Sequence, residues 1–114
     1  MAANYKILGQ STPAANTYTT LYTVPASAQT VVATLNICNL DSSNRAFRIA
    51  TTKSGVSVST PPSNTFIAYE TAIPSNDSIA LTLGLTLATN DSIVVFANST
   101  GNIAFSAYGS EVTP

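Results

Sequence analysis

Apolar and polar side chains alternate with a period of two along three segments of this 114-residue chain, at residues 31–38, 47–50 and 79–86. This alternation is typical of β-strands that bury one face and expose the other. Segments rich in β-branched and aromatic residues predict further strands near residues 5–8, 18–24, 65–71, 92–97 and 103–108. No long segment repeats apolar residues at helical spacing. The pattern therefore predicts an all-β fold of about eight strands.

Turn-forming residues separate the predicted strands. Pro, Gly, Asn, Asp and Ser cluster at residues 25–27, 41–44, 53–55, 61–64, 74–77 and 98–101. This spacing is typical of a single antiparallel β-sandwich, and a jelly roll is one way to connect its strands. The longest predicted loop covers residues 56–65. It contains Pro61 and Pro62, which we interpret as part of an exposed contact element.

Residues 1–17 are predicted to form an extended N-terminal arm ahead of a β-sandwich domain at residues 18–114. The segment GQSTPAANT contains Pro13 and small residues, whose burial offsets little of the roughly 1 to 2 kcal/mol that ordering each backbone residue costs. A neighbouring subunit could supply the missing surface. Tyr5, Ile7 and Leu8 would then anchor the arm, either by adding a strand to an exposed sheet edge or by filling an apolar groove.

The tetrapeptide Asn-Asp-Ser-Ile occurs twice, at residues 76–79 and 90–93, and an apolar run follows each copy. Asn and Asp tolerate left-handed backbone angles and accept hydrogen bonds from nearby backbone amides, so they favour turns. A calcium site would need about six or more converging oxygen atoms. We therefore interpret both copies as turns that lead into strands.

The composition predicts a neutral, polar surface. Charged residues make up 8% of the sequence, the formal net charge is -1, and Ser, Thr and Asn supply 41 positions. Such a surface lacks the net repulsion that keeps monomers apart, so it favours a protein that packs against neighbouring subunits. Nucleic acid and an anionic membrane are excluded as main partners, because both require a basic face.

Side chains suited to catalysis are scarce. The sequence has no His, which excludes Ser-His-Asp and Cys-His arrangements and the usual zinc ligand sets. Cys38 is the one cysteine, so no disulfide closes within the chain. A glycosidase needs a pair of carboxylates across a cleft, and the spacing of the acidic residues selects no pair. The sequence predicts a non-enzymatic protein with no catalytic residue, cofactor or metal site.

The segment SIVVFA at residues 92–97 is apolar on both faces of the predicted strand. Such a strand is either covered on both faces within its own chain or contacts a partner. A small sandwich has one internal core, so we predict that Val94 and Phe96 contact another subunit or a capsid.

Several segments resemble those of small virion structural proteins of tailed bacteriophages, particularly phages of cyanobacteria. They are TLYTVPAS, LNICN, FRIA, LTLGLTLATNDSIVV and AFSAYGSEV, and the resemblance covers most of the chain from Tyr18 to Val112. These segments are strand and turn signatures, so the resemblance assigns a role to no individual residue.

The resemblance implies a structural component of a virus particle. Its first implication is a capsid decoration or cement protein, which we expect to be a homotrimer that bridges copies of the major capsid protein or other virion proteins. The alternative is a tail, neck, baseplate or fibre component with a receptor- or glycan-binding role. The N-terminal MAANYKILGQ lacks the features of a secretory signal, so we expect synthesis in the host cytoplasm and a final location in the virion.

Overall fold

The computed structural model describes residues 2–113, and Met1 and Pro114 lie outside the described residues. Within this range the chain forms eight strands: β1 (Ala2–Ser11), β2 (Thr19–Thr23), β3 (Gln29–Asn39), β4 (Arg45–Thr52), β5 (Phe66–Ile73), β6 (Ser78–Leu87), β7 (Ser92–Ala97) and β8 (Ile103–Thr113). A short 3-10 turn at Ser63–Thr65 is the one helical element of residues 2–113. The described chain contains no helix long and apolar enough to cross a membrane. The predicted all-β fold is confirmed.

The eight strands form two four-stranded sheets packed face to face. The first sheet has the order β1-β8-β3-β6, and the second has the order β2-β7-β4-β5. All of the strand pairs are antiparallel, and β1 pairs with β8, β2 with β7, β3 with β6 and β4 with β5. The chain thus behaves as one long hairpin wrapped around a core, which is the jelly-roll arrangement.

The core lies between the two sheets and is built from the predicted alternation. Leu35 and Ile37 of β3 project inward from the first sheet, and Ile49 of β4 projects inward from the second. Phe47 and Phe105 meet edge-to-face across the core, with ring centroids 6.1 Å apart. Full burial of each such side chain contributes about 1.5 to 3 kcal/mol, so the core is the main stabilising element of the sandwich.

Both copies of Asn-Asp-Ser-Ile form turns that lead into strands, as predicted. Asn76 and Asn90 adopt left-handed backbone angles, with φ of 54° and 68°. β6 begins at Ser78 and β7 begins at Ser92.

The two aspartates of these turns differ in the hydrogen bonds that their carboxylates accept. Asp77 accepts a hydrogen bond from the next backbone amide of the chain, at 2.8 Å. Asp91 accepts one from the amide of Ala88 at 2.9 Å and another from the amide of Ser54 at 3.1 Å. The Asp91 carboxylate therefore joins its own turn to the loop that follows β4.

The N-terminal segment differs from the predicted arm. Residues 2–11 pair antiparallel with β8 along their whole length, from Ala2 opposite Thr113 to Ser11 opposite Phe105. They form an edge strand of the chain's own first sheet, because backbone hydrogen bonding to β8 does not depend on apolar side chains. The expectation of an arm outside the sandwich is corrected for these residues. Contact of β1 with a neighbouring subunit stays a prediction.

Removal of the Asp91 side chain should destabilise the protein more than removal of the Asp77 side chain. Asp91→Ala is expected to lower the free energy of unfolding by about 1 to 2 kcal/mol, since two amides lose their acceptor, and Asp77→Ala by less than about 0.5 kcal/mol. Urea unfolding of both variants measures the difference. Addition of calcium or a chelator should leave each midpoint unchanged, and a calcium-dependent rise would contradict the assignment of both sites as turns.

Deletion of residues 1–17 should destabilise the sandwich, because it removes the strand that covers the edge of β8. We expect a loss of about 2 to 5 kcal/mol in the free energy of unfolding, measured by urea denaturation. Tyr5→Ser with Ile7→Ser keeps the β1 backbone and serves as the control, and its stability should change little. A truncated chain as stable as the full chain would show that β1 is an accessory arm after all.

Candidate functional site

Four exposed apolar residues gather on the outer face of the first sheet. Tyr5 of β1 lies opposite Ser110 of β8, which in turn lies opposite Val31 of β3. In the adjacent row, Ile7 of β1 lies opposite Tyr108 of β8. Directly opposed residues of antiparallel strands share a face, so Tyr5, Ile7, Val31 and Tyr108 form one surface, the outer-face patch.

The outer-face patch is uncharged. The charged residues of the four strands in the first sheet are Lys6 and Glu111. Glu111 lies opposite Thr30, which is a buried residue of the inner face. Lys6 forms an ion pair with Glu111. The two charges are therefore paired with each other, although the Lys6 side chain is 47% exposed and Lys6 also lines the groove beside the patch.

The exposure of the patch is high for apolar side chains. Tyr5 is 86% exposed and Ile7 is 54% exposed. Tyr5, Val31 and Tyr108 border an open groove of about 450 Å³. Aromatic enrichment and charge depletion are the compositional marks of protein interfaces. The structure thus brings the predicted residues Tyr5 and Ile7 together with Val31 and Tyr108, which sequence analysis missed.

A buried polar network fixes β1, and with it Tyr5 and Ile7, against the sandwich. Lys6 Nζ lies 2.7 Å from Glu111 Oε1, and the Tyr22 hydroxyl donates to Glu111 Oε2 at 2.5 Å. The Tyr22 hydroxyl also lies 2.7 Å from Thr30 Oγ1. Because Tyr22 belongs to β2 and Glu111 to β8, the network joins the two sheets.

The network shifts the pKa values of Glu111 and Tyr22 in opposite directions. The ammonium of Lys6 and then the hydroxyl of Tyr22 stabilise the carboxylate, so the pKa of Glu111 lies below its ordinary value of 4.5. Burial and the adjacent carboxylate raise the pKa of Tyr22 to about 12. At neutral pH Glu111 is therefore a carboxylate and Tyr22 a protonated phenol.

Packing also holds the C-terminal half of β1. Leu8, a predicted contact residue, is partly buried and packs against the core cluster. A Cβ added at Gly9 would lie 2.3 Å from the backbone oxygen of Leu21, so only glycine allows β1 to approach β2 this closely. Leu8 is an internal anchor of β1, and its contact with a neighbouring subunit stays a prediction.

A second cluster of large side chains lies on the outer face of the second sheet. Tyr18 precedes β2, Phe66 and Tyr69 lie on β5, and Phe96 lies on β7. The ring centroids of Tyr18 and Phe96 are 4.7 Å apart, those of Tyr18 and Phe66 6.0 Å, and those of Phe66 and Tyr69 5.0 Å. These four rings together with Arg48 of β4 form what we call the aromatic platform.

Arg48 holds the platform together. Its guanidinium carbon lies 4.2 Å from the ring centroid of Tyr69 and 4.3 Å from that of Phe96, so both rings stack on the cation. Its Nη1 donates to the Tyr18 hydroxyl at 2.6 Å, and its Nε and Nη2 contact Glu70 Oε1. The guanidinium therefore orients two tyrosine side chains and is neutralised by one carboxylate.

A bulge in β5 brings Tyr69 and Glu70 to Arg48. Phe47 pairs with Thr71 and Ile49 pairs with Ala68, so two residues of β5 stand opposite Arg48 alone. Glu70 adopts a left-handed φ of 49°, which costs a non-glycine residue about 1 to 2 kcal/mol. Bulges of this kind redirect side chains at sheet edges and binding sites.

The predicted contact loop supplies one wall of the platform. Pro61, Ser63, Tyr18, Phe66 and Tyr69 line an open groove of about 580 Å³. Pro61 thus lies beside the platform, whereas Pro62 borders the separate groove of the same loop with Asn64 and Thr65.

Val94 and Phe96 are not exposed contact residues. Val94 is 1% exposed and Phe96 is 8% exposed. Tyr18 and Arg48 cover the ring of Phe96 from within the same chain. The prediction that these two residues contact another subunit is corrected, because the outer face of β7 is buried by the chain itself.

The platform was missed by sequence analysis because its members lie on separate elements of the chain. Tyr18 and Arg48 are distant from Phe66 and Phe96 in sequence, and only the strand order of the second sheet brings them together. The bulge at Glu70 was also invisible to the period-two pattern. Within residues 2–113, no three His, Cys, Asp or Glu side chains gather as a metal site would require.

The stability of the protein should fall in acid because of the Glu111 network. A carboxylate whose pKa is lower in the folded state stabilises that state above its ordinary pKa of 4.5, and this contribution is lost as the pH falls through the folded value. We expect Glu111→Gln to be less stable than the natural chain at pH 7 and to show a weaker decline below pH 4.5. Urea unfolding at a series of pH values measures both curves.

The natural chain and Glu111→Gln share the Asp41–Arg45 pair, which lowers the pKa of Asp41 and contributes to the same acid range. The difference between the curves therefore isolates Glu111. Parallel curves for the two proteins would contradict the assignment.

Comparison with known proteins gave no relative for this chain. No protein-family model matches it, and neither a curated protein nor a solved structure matches it. The interpretation of the outer-face patch and the aromatic platform therefore rests on their own geometry and chemistry.

Proposed function

We propose that this chain is a non-enzymatic structural protein of a phage particle, and that it acts as a capsid decoration or cement protein. In this role the sandwich binds the outer shell through the outer-face patch and bridges copies of the major capsid protein. The single observation that carries the proposal is the patch itself, an exposed apolar surface on the first sheet, formed by Tyr5, Ile7, Val31 and Tyr108.

The chemistry of the patch supports an adhesive role. Removal of apolar area from water stabilises a contact by about 25 cal/mol per Å², and the two tyrosines add flat, amphipathic surface. None of the four patch residues is charged, and the neighbouring Lys6, which lines the same groove, is paired with Glu111. One such patch gives a modest contact, and repetition over a shell converts modest contacts into high avidity.

We further propose that the working unit is a homotrimer in the virion. The neutral composition favours self-association, and closed symmetric oligomers are the usual assemblies of soluble chains. A trimer would present several patches at once to neighbouring capsid subunits, which is what bridging requires.

The alternative role is that of a tail, neck, baseplate or fibre component. The jelly-roll fold accommodates both roles by analogy, since it occurs in viral capsid domains and in lectins. The two roles differ in number, because decoration requires hundreds of copies in each particle whereas a tail component requires far fewer.

The copy number in purified particles of the encoding virus tests the proposal. Quantitative mass spectrometry against the major capsid protein should give hundreds of copies of this chain. A count of dozens or fewer would replace decoration with the tail or fibre role. Absence of the chain from particles would contradict both roles.

Loss of the outer-face patch should weaken attachment to particles that lack this protein. Tyr5→Ser with Tyr108→Ser is expected to reduce binding by about ten-fold or more, as is usual for central aromatic residues of an interface. The thermal stability should change little, because Tyr5 is 86% exposed and neither tyrosine belongs to the buried core. Co-sedimentation with particles measures the binding.

Tyr69→Ser is the matched control, since Tyr69 is also exposed but lies on the opposite sheet. It should bind as the natural chain does. If Tyr5→Ser with Tyr108→Ser binds normally, the patch is not the contact surface and the proposal fails.

A further inference from the structure

We propose that the aromatic platform is a binding site for a neutral glycan, with a pyranose ring seated on the exposed side of Tyr69 and against Phe66. This inference does not depend on capsid decoration, because a decoration protein and a tail component could each carry such a site. It follows from the geometry of the rings, from the polar groups beside them and from their charge.

The ring geometry suits a flat ligand with an apolar face. Tyr69 is 58% exposed, although Arg48 stacks on its ring. Phe66 meets Tyr69 at an interplanar angle of 84°, so the two rings form adjoining walls at nearly a right angle. The groove beside them has a volume of about 580 Å³, which is the size of a small-molecule site. The apolar C–H face of a pyranose can pack on one ring while its edge contacts the other.

The polar groups at the platform suit a ligand that donates hydrogen bonds: Ser63 lines the groove, and Glu70 follows the groove residue Tyr69 in the chain. Glu70 Oε1 is engaged by Arg48, and Glu70 Oε2 receives no hydrogen bond from residues 2–113. A carboxylate oxygen accepts hydrogen bonds and donates none. Ser63 adds a hydroxyl at the groove. Sugar hydroxyls both donate and accept, so they match a free carboxylate oxygen and a hydroxyl.

The same groups disfavour a proline-rich peptide. Such peptides dock into aromatic grooves through proline rings and present carbonyl oxygens, which a carboxylate does not bind. Moreover, the chain's own Pro61 already lines the groove beside Tyr18 and Phe66.

The charge balance selects a neutral glycan over an anionic one. Arg48 is the cation of the platform, and its ion pair with Glu70 cancels its charge. Sulfated or uronic sugars and nucleic acids need uncompensated cations to offset their charge.

The backbone of β5 gives independent support. The bulge that places Tyr69 and Glu70 opposite Arg48 holds Glu70 in the left-handed region. Strained backbone conformations of non-glycine residues concentrate at binding sites, where the surrounding structure holds them in place. Here the strained residue is the one that carries the free carboxylate oxygen.

Saturation-transfer NMR of the full chain with maltohexaose and cellohexaose tests the proposal. Saturation of aromatic protons should pass to the pyranose C–H protons of at least one of these probes, with a roughly millimolar dissociation constant by titration. Tyr69→Ala should weaken binding by about ten-fold or more, and Tyr69→Phe should retain most of it because the stacking ring remains. Tyr108→Ala, an exposed tyrosine of the opposite sheet, is the matched control and should bind normally.

Decaproline and a sulfated heparin hexasaccharide serve as competing probes. Binding of decaproline without either neutral sugar would show a peptide site, and preferential binding of the heparin probe would show an anion site. Both results would overturn the proposal. So would the absence of any binding at millimolar concentration, or equal binding by Tyr69→Ala. Because Tyr69 lies on the second sheet and Tyr5 and Tyr108 lie on the first, failure of Tyr69→Ala to weaken glycan binding leaves the particle-binding result unaffected.

Discussion

The pairing of the first strand with the last is the constraint on which this structure depends. β1 and β8 pair from Ala2 opposite Thr113 onward. Inside this pair in sequence, β2 pairs with β7, β3 with β6 and β4 with β5. In a protein without α-helices in its described part, nearly every backbone amide must find an acceptor far away in sequence. Non-local pairing of this kind makes folding slow, and β1 replaces β8 as the edge strand of the first sheet.

That pairing also determines where the few charges lie. Lys6 of β1 forms an ion pair with Glu111 of β8, and Tyr22 of the second sheet donates a hydrogen bond to the same carboxylate. Among residues 2–113, the other ion pairs join Arg45 to Asp41 and Arg48 to Glu70. Most of the charged residues therefore form ion pairs with each other. Broad surfaces of the protein carry no charged side chain as a result. Attraction between such surfaces depends on shape and apolar area rather than on charge.

The strands were predictable because their signal is local. Alternation of apolar and polar residues located β3, β4 and β6, and β-branched composition located the others. The ends of β1 and β8 were not predictable, since an edge pair of polar residues is stabilised by backbone hydrogen bonds that leave no pattern in side chains.

The candidate sites were less predictable than the strands, because their residues come together only through contacts between distant parts of the sequence. The apolar residues on both faces of β7 correctly indicate that both faces are covered. The sequence pattern does not indicate which residues cover them. The cover of Phe96 comes from Tyr18 and Arg48, which are far from it in sequence. Of the outer-face patch, Tyr5 and Ile7 stood out in sequence, whereas Val31 and Tyr108 join them only through the strand register.

The two proposed surfaces lie on opposite sheets, and this arrangement makes them compatible in one particle. Packed sheets lie about 10 Å apart, so a domain seated by its first sheet would hold its second sheet just above the shell. Attachment through Tyr5 and Tyr108 would therefore turn Tyr69 and its groove toward the surroundings of the particle. A weak glycan site gains most from such an orientation, because many copies on one shell act together and avidity offsets the low affinity of each. Adhesion to the capsid and recognition of a sugar surface would then follow from one sandwich with two differently used faces.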